Sequence, residues 1–559
     1  MPYQTKLTCA LWLGLAATVA SAGFLGCSDR PGEGGGCAPG CVVSDEPSGS
    51  IDTGYGGGGG GAPPSVLPYG AHDDAIEQAI YEADVVQVKD NRLYALSSSS
   101  GLNVIDVSVT GQLTLLGRYR SNGVSSDMIF NGDTLYVMTL LSSSSQSRVE
   151  ALDVSDPANI QALGSIDIDG EFTGLRLKGD VLYTVTRDVC GSGLIVCTTT
   201  VTSLQIADPT NISLINQLSY ITTEDYDDKL ISRIPQHVLI TSDRMYVPAL
   251  DADGDGEWHP RIHVIDISNP SGELVAGADV DTKGPIRSRS QMDEVDGVLR
   301  VISEPLYYNE LPLVQTFSVA SAQDVNLIAE VDLNAPGFLS LNTLSMVRFD
   351  GTRAYAAPLY YNGPWQLTVI DLSDPSQPQI AGEIDVSGSI LRIEPRGDRL
   401  FTLAYVPSAP DGALSVSLFD VSNPAQPTLI QREAFGGPME FFTQQKCNGL
   451  TLYTGRMAFK VMDDHGLIVV PYGGFHWNAG CGSDAGGVQL LDFTTDSLVK
   501  RGLAASGRDA QRAFLLGGRL FTASDTSVTE INIDNKDAPV TTSELSIVRA
   551  ARQTAVARD

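Results

Sequence analysis

The chain is poor in the groups that carry most enzyme chemistry. Its 559 residues include only six histidines, at 72, 237, 259, 263, 465 and 476, and they form no His-Glu-x-x-His metal phrase. No Gly-x-Ser-x-Gly phrase leads into a helical stretch, so a nucleophile elbow is excluded on motif grounds. Basic residues are also short: 36 Lys plus Arg stand against 67 Asp plus Glu, a formal charge of −31. That balance disfavours nucleic acid and anionic lipid surfaces, whose phosphates need a basic patch. It fits a solvated exposed surface, or one that attracts cations. Long helical periods are missing from the body of the chain, which argues against an α/β enzyme fold.

What is present is repetition. An apolar strand ending in Asp, then Ser, and often Asp-Pro or Asn-Pro, appears as Val104-Ile105-Asp106-Val107-Ser108 and Ala151-Leu152-Asp153-Val154-Ser155-Asp156-Pro157. It returns as Val264 to Pro270, Val369 to Pro375 and Leu418 to Pro424. A second phrase precedes each copy, a polar turn followed by an apolar-aromatic pair, as in Asp90-Asn91-Arg92-Leu93-Tyr94, Gly132-Asp133-Thr134-Leu135-Tyr136 and Gly397-Asp398-Arg399-Leu400-Phe401. Gly, Asn and Asp there supply the backbone angles of tight hairpins. A further strand follows the Pro, as in Leu115-Leu116-Gly117-Arg118-Tyr119 or Ile380-Ala381-Gly382-Glu383-Ile384. Four antiparallel strands in about 45 residues is the size of a β-propeller blade, and stacking such units buries faces that no unit covers alone.

The expected fold class is therefore all-β, a single β-propeller of eight or nine four-stranded blades. Nine candidate units fall at about 84–120, 124–168, 172–220, 236–280, 288–333, 342–386, 389–434, 456–503 and 510–547. The third, fifth, eighth and ninth are degenerate in the repeated phrase. Eight is the commoner closed ring.

The first 26 residues, with Lys6 before an apolar stretch and Leu25-Gly26-Cys27 at its end, read as a lipoprotein signal whose Cys27 becomes the lipidated first residue. Phe24 departs from the usual motif, and an uncleaved anchor or ordinary secretion is the competing reading. Ser28 is compatible with sorting to the outer membrane of a bacterial cell envelope. Residues 27–70, with an unbroken run from Gly56 to Gly61, form an expected disordered tether. A short segment at 71–83 leads into the propeller at 84–547, and 548–559 is an expected flexible tail. The membrane is expected to be reached through the lipid anchor only.

By Glu82-Ala83-Asp84-Val85-Val86-Gln87-Val88 followed by Leu93-Tyr94, the chain resembles the secreted bacterial and archaeal β-propeller-domain proteins. Ser290 to Val301, Val347 to Tyr355 with Ile370 to Pro375, and Ser417 to Pro424 with Val469-Val470-Pro471 extend the likeness over nearly the whole ring. A Tyr/His/Pro-rich motif of that family is missing, with Ser389 to Arg396 in its place. The resemblance implies a fold and an extracytoplasmic location, and no established chemistry.

Three sets of residues are candidates for function. Asp251, Asp253, Asp255 and Glu257, in a loop with Gly254 and Gly256, present alternating carboxylates that suit a calcium ion; Ile262 at the twelfth position excludes an EF-hand. A solvated acidic turn is the bland alternative. Cys37, Cys41, Cys190, Cys197, Cys447 and Cys481 form an even set in an exported chain, with local pairing 37–41, 190–197 and 447–481 expected. A zinc site from Cys447, Cys481 and His476 lacks the spacing such sites use. Tyr307, Tyr308, Tyr360, Tyr361, Trp365, His476 and Trp477 sit in insertions that would rim the ring, where loops on a rigid scaffold carry binding. Asp293, Glu294 and Asp296 form an acidic cluster that repeated turn positions explain. The functional expectation is a monomeric, non-enzymatic binding or scaffolding module for an envelope or extracellular protein or glycan, with no nucleic-acid partner. The alternative is an envelope hydrolase or lyase acting on glycan or peptide, with acidic residues near the central channel.

Overall fold

The computed structural model of the chain describes residues 81–82, 85–141, 146–188, 195–224, 238–252, 258–306, 310–334, 344–358, 365–405, 414–436, 449–451, 459–475, 487–505, 510 and 512–548, all within one compact unit, Tyr55–Asp559. They form nine antiparallel sheets, one per blade, arranged as a propeller ring. The ring takes the larger of the two expected blade counts. Blades 1 to 9 span 86–119, 124–169, 171–224, 239–281, 292–332, 344–385, 389–435, 449–504 and 512–546. Blade 6 shows the plan: Leu344–Asp350, Arg353–Pro358, Gln366–Asp371 and Gln379–Asp385 pair in chain order. Among the described residues the only helical turns are short 3₁₀ segments, the longest three residues.

Alternation along each strand sends apolar side chains to both faces of a blade, so the core lies between blades rather than inside them. Nine apolar clusters fill the nine interfaces. Between blades 6 and 7, for example, Tyr355, Leu367 and Val369 meet Ile390, Ile393 and Phe419. Each fully buried aliphatic or aromatic side chain contributes about 1.5–3 kcal/mol, against about 1 kcal/mol for a polar stitch, so the clusters hold the ring and the stitches set its register.

The two recurring phrases meet at those interfaces. Within a blade, the closing Asp accepts the amide of the Ser two residues on: Ser108 N to Asp106 at 2.8 Å, Ser155 N to Asp153 at 2.9 Å, Ser373 N to Asp371 at 2.9 Å. The next Asp or Asn does the same one step later, as in Ala158 N to Asp156 and Ser376 N to Asp374. Serine hydroxyl and amide donors hold Asp106, Asp153 and Asp371 below the ordinary carboxylate range. Across the interface, the basic residue of the hairpin phrase reaches the rigid turn of the following blade. Arg353 Nη1 donates to Val421 O at 2.9 Å, and Lys178 Nζ to Ile267 O at 3.0 Å. Blade 2 uses Tyr136, whose hydroxyl donates to Ile206 O at 2.9 Å.

The fourth strand carries a bulge in all nine blades, and in five of them a glycine beside it, Gly117, Gly164, Gly277, Gly382 or Gly502, lets the next turn approach. Gly117 faces the Pro157 carbonyl, Gly164 that of Pro209 and Gly382 that of Pro424. A Cβ at Gly164 would lie 2.5 Å from Pro209 O.

The four strands of each blade are contiguous in the chain, and the extra strand Tyr81–Glu82 joins blade 3, so among the described residues no strand from one terminus completes the blade at the other. The seam between blades 9 and 1 has its own chemistry instead. Leu93, Ala95 and Ile105 pack on Phe521, Val528 and Ile547. Where other interfaces use Gly and Pro, Ser543 and Gly111 stand: Leu113 N donates to Ser543 Oγ at 3.1 Å and Gly111 N to the buried Glu530 carboxylate at 3.0 Å. Ser98 N and Oγ both donate to Asp525 at 2.6 Å, and Arg519 Nη2 to Val107 O at 2.6 Å.

Of the degenerate repeats, only the eighth coincides with an irregular blade. Blade 3 has the longest strands, Ile195–Gln205 and Ser213–Glu224, although its closing phrase keeps only Asp208-Pro209. The irregular blades are 4, with a two-residue first strand Leu239–Ile240, and 8, whose inner position is split between Gly449–Thr451 and Lys460–Met462. The phrase encodes turn chemistry, while strand length follows alternation.

Candidate functional site

An antiparallel four-stranded blade has two kinds of connection. Those from first to second and from third to fourth strand emerge on one face of the ring, and the others on the opposite face. Within the first kind, the first-to-second turns are tight: Asp90 and Asn91 (φ 52° and 58°), or Asp296 and Gly297 (φ 52° and 73°), occupy the left-handed region that such hairpins need. The third-to-fourth connections, such as 107–113 and 372–378, repeat the Asp-capped turn. The second kind varies in length, from 98–100 and 524–526 to 304–312, 406–413 and 476–486 within blades, and from Gly170 alone to 225–238, 333–343 and 436–448 between them. The ring therefore has a uniform turn face and a variable loop face.

Apart from Asp251 and Cys197, which lie in strands, the sequence candidates in the ring belong to connections of the loop face. Asp253, Asp255 and Glu257 fall between the second and third strands of blade 4, Tyr307 and Tyr308 in blade 5, Tyr360 and Tyr361 in blade 6, and His476, Trp477 and Cys481 in blade 8; each lies outside the described residues. Cys27, Cys37, Cys41, Cys190 and Cys447 lie outside them as well, and Cys197 belongs to the third strand of blade 3, Ile195–Gln205. Two candidates are placed with their side chains. Asp251 sits 3.2 Å from the Arg261 guanidinium, which also approaches Asp281 at 3.5 Å. Trp365 packs against the blade 6–7 cluster with its indole Nε1 buried and without a hydrogen-bond partner, while its carbonyl accepts Val386 N at 3.0 Å. Among the described residues, no group of three or more His, Cys, Asp or Glu is gathered to hold a metal ion. No described helix is long and apolar enough to cross a membrane.

The acidic cluster at blade 5 is consumed by structure. Glu294 accepts Arg244 Nη1 and the Tyr246 hydroxyl, each at 2.6 Å, across the blade 4–5 interface. Asp293 pairs with Arg300, whose guanidinium also donates to Gly351 O and lies 5.2 Å from the Phe349 ring. On the loop-face side of the same blade, a pair that sequence reading missed lies buried: Arg287 Nε stands 2.9 Å from Glu304, whose carboxyl burial pushes up to about 7 although Arg287 opposes the shift. Arg287 and Glu304 belong to different connections and become neighbours only when blades 4 and 5 pack.

The first strands face the central channel, where sequence reading had placed no basic residue. Arg176, Arg348 and Lys460 stand two residues before the end of their strands, and Arg392 and Arg512 four residues before the final position. The segment Tyr81–Glu82 adds to this wall, pairing antiparallel with the first strand of blade 3 at Leu177 and Arg176. This segment precedes blade 1, whose first strand starts at Val86.

These features define a nine-bladed propeller with one structural and one variable face. The model of the beta propeller domain family matches residues 75–536, and the chain belongs to that family. An uncharacterised protein of Methanocaldococcus jannaschii is 29% identical over 154 residues, 27% of this chain; the match spans 23% of that protein's length. Among solved structures, a periplasmic gluconolactonase from Pseudomonas aeruginosa is similar at 15% identity and a TM-score of 0.33, covering 65% of this chain and 97% of that one. Hsv2 of Kluyveromyces lactis is similar at 11% identity and a TM-score of 0.34, covering 63% and 99%. A puromycin hydrolase is similar at 11% identity and a TM-score of 0.28, covering 61% and 50%. These likenesses carry no argument about activity.

Proposed function

We propose that the protein is a lipid-anchored cell-envelope propeller that acts as a non-enzymatic binding or scaffolding module through its loop face, with an envelope or extracellular protein or glycan as partner. The observation that carries this reading is the segregation of connections: repeated turns on one face, and on the other connections that range from Gly170 alone to the fourteen residues 225–238. A rigid ring whose variation is confined to one face is the arrangement of a scaffold that presents binding loops. The placement of acids supports the same reading. The repeated Asp residues cap turns, and Asp293 and Glu294 are spent on Arg300 and Arg244, whereas a glycosidase needs two carboxylates about 5–9 Å apart and open to substrate. Anchoring through Cys27, with residues 28–70 as a spacer, would hold the ring away from the membrane.

The test is capture from envelope extracts by the full-length chain and by a variant with residues 406–413 and 436–448 replaced by Gly/Ser linkers. Specific capture that the loop variant loses supports the reading. Capture equal in both refutes the role of the loop face. Turnover of peptidoglycan or peptide fragments by the purified chain would instead establish the hydrolase or lyase alternative. Incorporation of radiolabelled palmitate, abolished by Cys27→Ala, tests the anchor.

A further inference from the structure

A buried carboxyl group joins three blades on the loop-face side of the ring. The connection from blade 4 to blade 5, residues 282–291, is built as a rigid frame. Thr282 Oγ1 donates to Gly284 O at 3.0 Å, and Lys283 N to Gln315 Oε1 at 3.0 Å. Gln291 Oε1 accepts Arg287 N and Ser288 N at 2.7 and 2.8 Å, while its Nε2 donates to Ile302 O at 2.9 Å. Glu304 seats on this frame, just beyond the strand Val298–Ser303. Its N–H donates to Pro285 O at 3.0 Å, and its own carbonyl lies so close to Gly284 that no Cβ fits there. The side chain, 5% exposed, meets Arg287 Nε at 2.9 Å and accepts the backbone N–H of Leu344, the first residue of blade 6. Blades 4, 5 and 6 thus share one carboxyl group.

The charged groups on the elements around it are few. The 282–291 connection carries Lys283, Arg287 and Arg289, and the 304–312 connection carries Glu304 and Glu310. The first two strands of blade 5 carry Asp293, Glu294 and Arg300, and the first strand of blade 6 carries Arg348 and Asp350. Asp293 and Glu294 are spent on Arg300 and Arg244, and Asp350 on Arg353; Arg287 is the charged group that acts on Glu304. One guanidinium and one amide do not repay the loss of water. Burial outweighs both and raises the carboxyl from 4.5 to about 7. A carboxyl released to solvent returns to the ordinary glutamate range. The seated form therefore holds its proton more tightly than the released one, so the proton favours seating and its loss favours release. Release breaks little backbone. The strand ends at Ser303 and Pro305 has no N–H to lose, which leaves the Glu304 bond to Pro285 and the Leu344 bond.

We propose that this joint is a proton-controlled clasp: with Glu304 protonated it seals blades 4, 5 and 6 together at the loop face, and on loss of the proton Glu304 swings out and frees Leu344 and the seat at Gly284. If the loop face is the binding surface, as proposed above, the clasp makes the shape of that surface between blades 4 and 6 depend on pH. The clasp itself does not require that reading.

Amide hydrogen exchange of the purified full-length chain, resolved to single residues and corrected for the intrinsic rate at each pH, reads the opening of the joint at Glu304 and Leu344. The opening equilibrium is expected to rise about tenfold per pH unit between about 5 and 6.5 and to level off above about 7. In Glu304→Gln, which keeps the shape and cannot ionise, it should not change with pH. Arg287→Gln removes the cation that favours the charged form, so the levelling-off should move to higher pH. The Val421 amide, bonded to Asp398 O at 2.9 Å in blade 7, should show no such rise and separates local release from unfolding of the whole ring. Opening that does not depend on pH, the same rise in Glu304→Gln, a plateau unmoved by Arg287→Gln, or an equal rise at Val421 overturns the proposal. None of these outcomes bears on capture by the loop face, which the envelope-extract experiment tests separately.

Discussion

Gly164 offers the cleanest measure of how tightly one blade seats on the next. Replacing it with Ala places a Cβ 2.5 Å from Pro209 O and 3.0 Å from the carbonyl carbon and oxygen of Thr210. Ordinary contact requires about 3.4 Å, so the turn of blade 3 must retreat by most of an ångström. It has little freedom to do so: Asp208 accepts Thr210 N at 3.0 Å and Thr210 Oγ1 at 2.7 Å, and Asn211 N bonds Asp208 O at 3.0 Å. Retreat also stretches the bond from the Tyr136 hydroxyl to Ile206 O. Overpacking of this kind costs about 1–3 kcal/mol, and loss of the Tyr136 bond about 1 kcal/mol more. The expected destabilisation is therefore about 2–4 kcal/mol, opposed only by the 0.4–1 kcal/mol or so that Gly→Ala gains in the unfolded chain. Gly174→Ala is the matched control, since its Cβ would meet only Val185 Cβ at 4.0 Å. It should be neutral or stabilising. Urea unfolding followed by circular dichroism gives both midpoints. If Gly164→Ala is as stable as Gly174→Ala, the close-approach account of the repeated glycine is wrong.

Three other outcomes are expected. Asp525→Ala removes two hydrogen bonds from the ring seam and should cost about 1–2 kcal/mol, with faster hydrogen exchange in blades 1 and 9 than in blade 5; uniform exchange would show that the seam is no weaker than other interfaces. Glu304 has its folded carboxyl raised from 4.5 to about 7, so the folded state binds the extra proton and stability falls as pH rises through that interval; Glu304→Gln should flatten the profile there, and an unchanged slope would assign it to other groups. Calcium should raise the melting midpoint and a chelator lower it, with Asp253→Asn and Asp255→Asn removing the difference; identical midpoints with and without calcium would eliminate the 251–257 loop as a cation site.

Much of the architecture was legible because turn chemistry is local. Asp106 and Ser108, or Asp371 and Ser373, are two residues apart, and their hydrogen bonds form whatever the rest of the chain does. The Asn91-Arg92 and Asp398-Arg399 hairpins are equally self-contained as turns. Their arginines were not legible, because Arg353 and Arg519 act on carbonyls of another blade. The Gly117, Gly164 and Gly382 positions appeared as a repeat without a reason until the neighbouring proline carbonyl was in place. The candidate site was less legible still. Glu304 finds Arg287 only when blades 4 and 5 pack.

The sequence by itself determined the unit: four alternating strands, a tight hairpin and an Asp-capped turn, because those interactions span few residues and repeat in register. It also determined the charge, and the N-terminal pattern on which the proposed export and tether rest. Only the tertiary structure decided that nine units close the ring, that the seam is held by Glu530, Asp525 and Ser543 rather than by an exchanged strand, and that variation collects on one face. The physical reason is the same in each case. Blade number, closure and channel charge depend on how rigid units meet, and the groups that govern those meetings are distant in the chain.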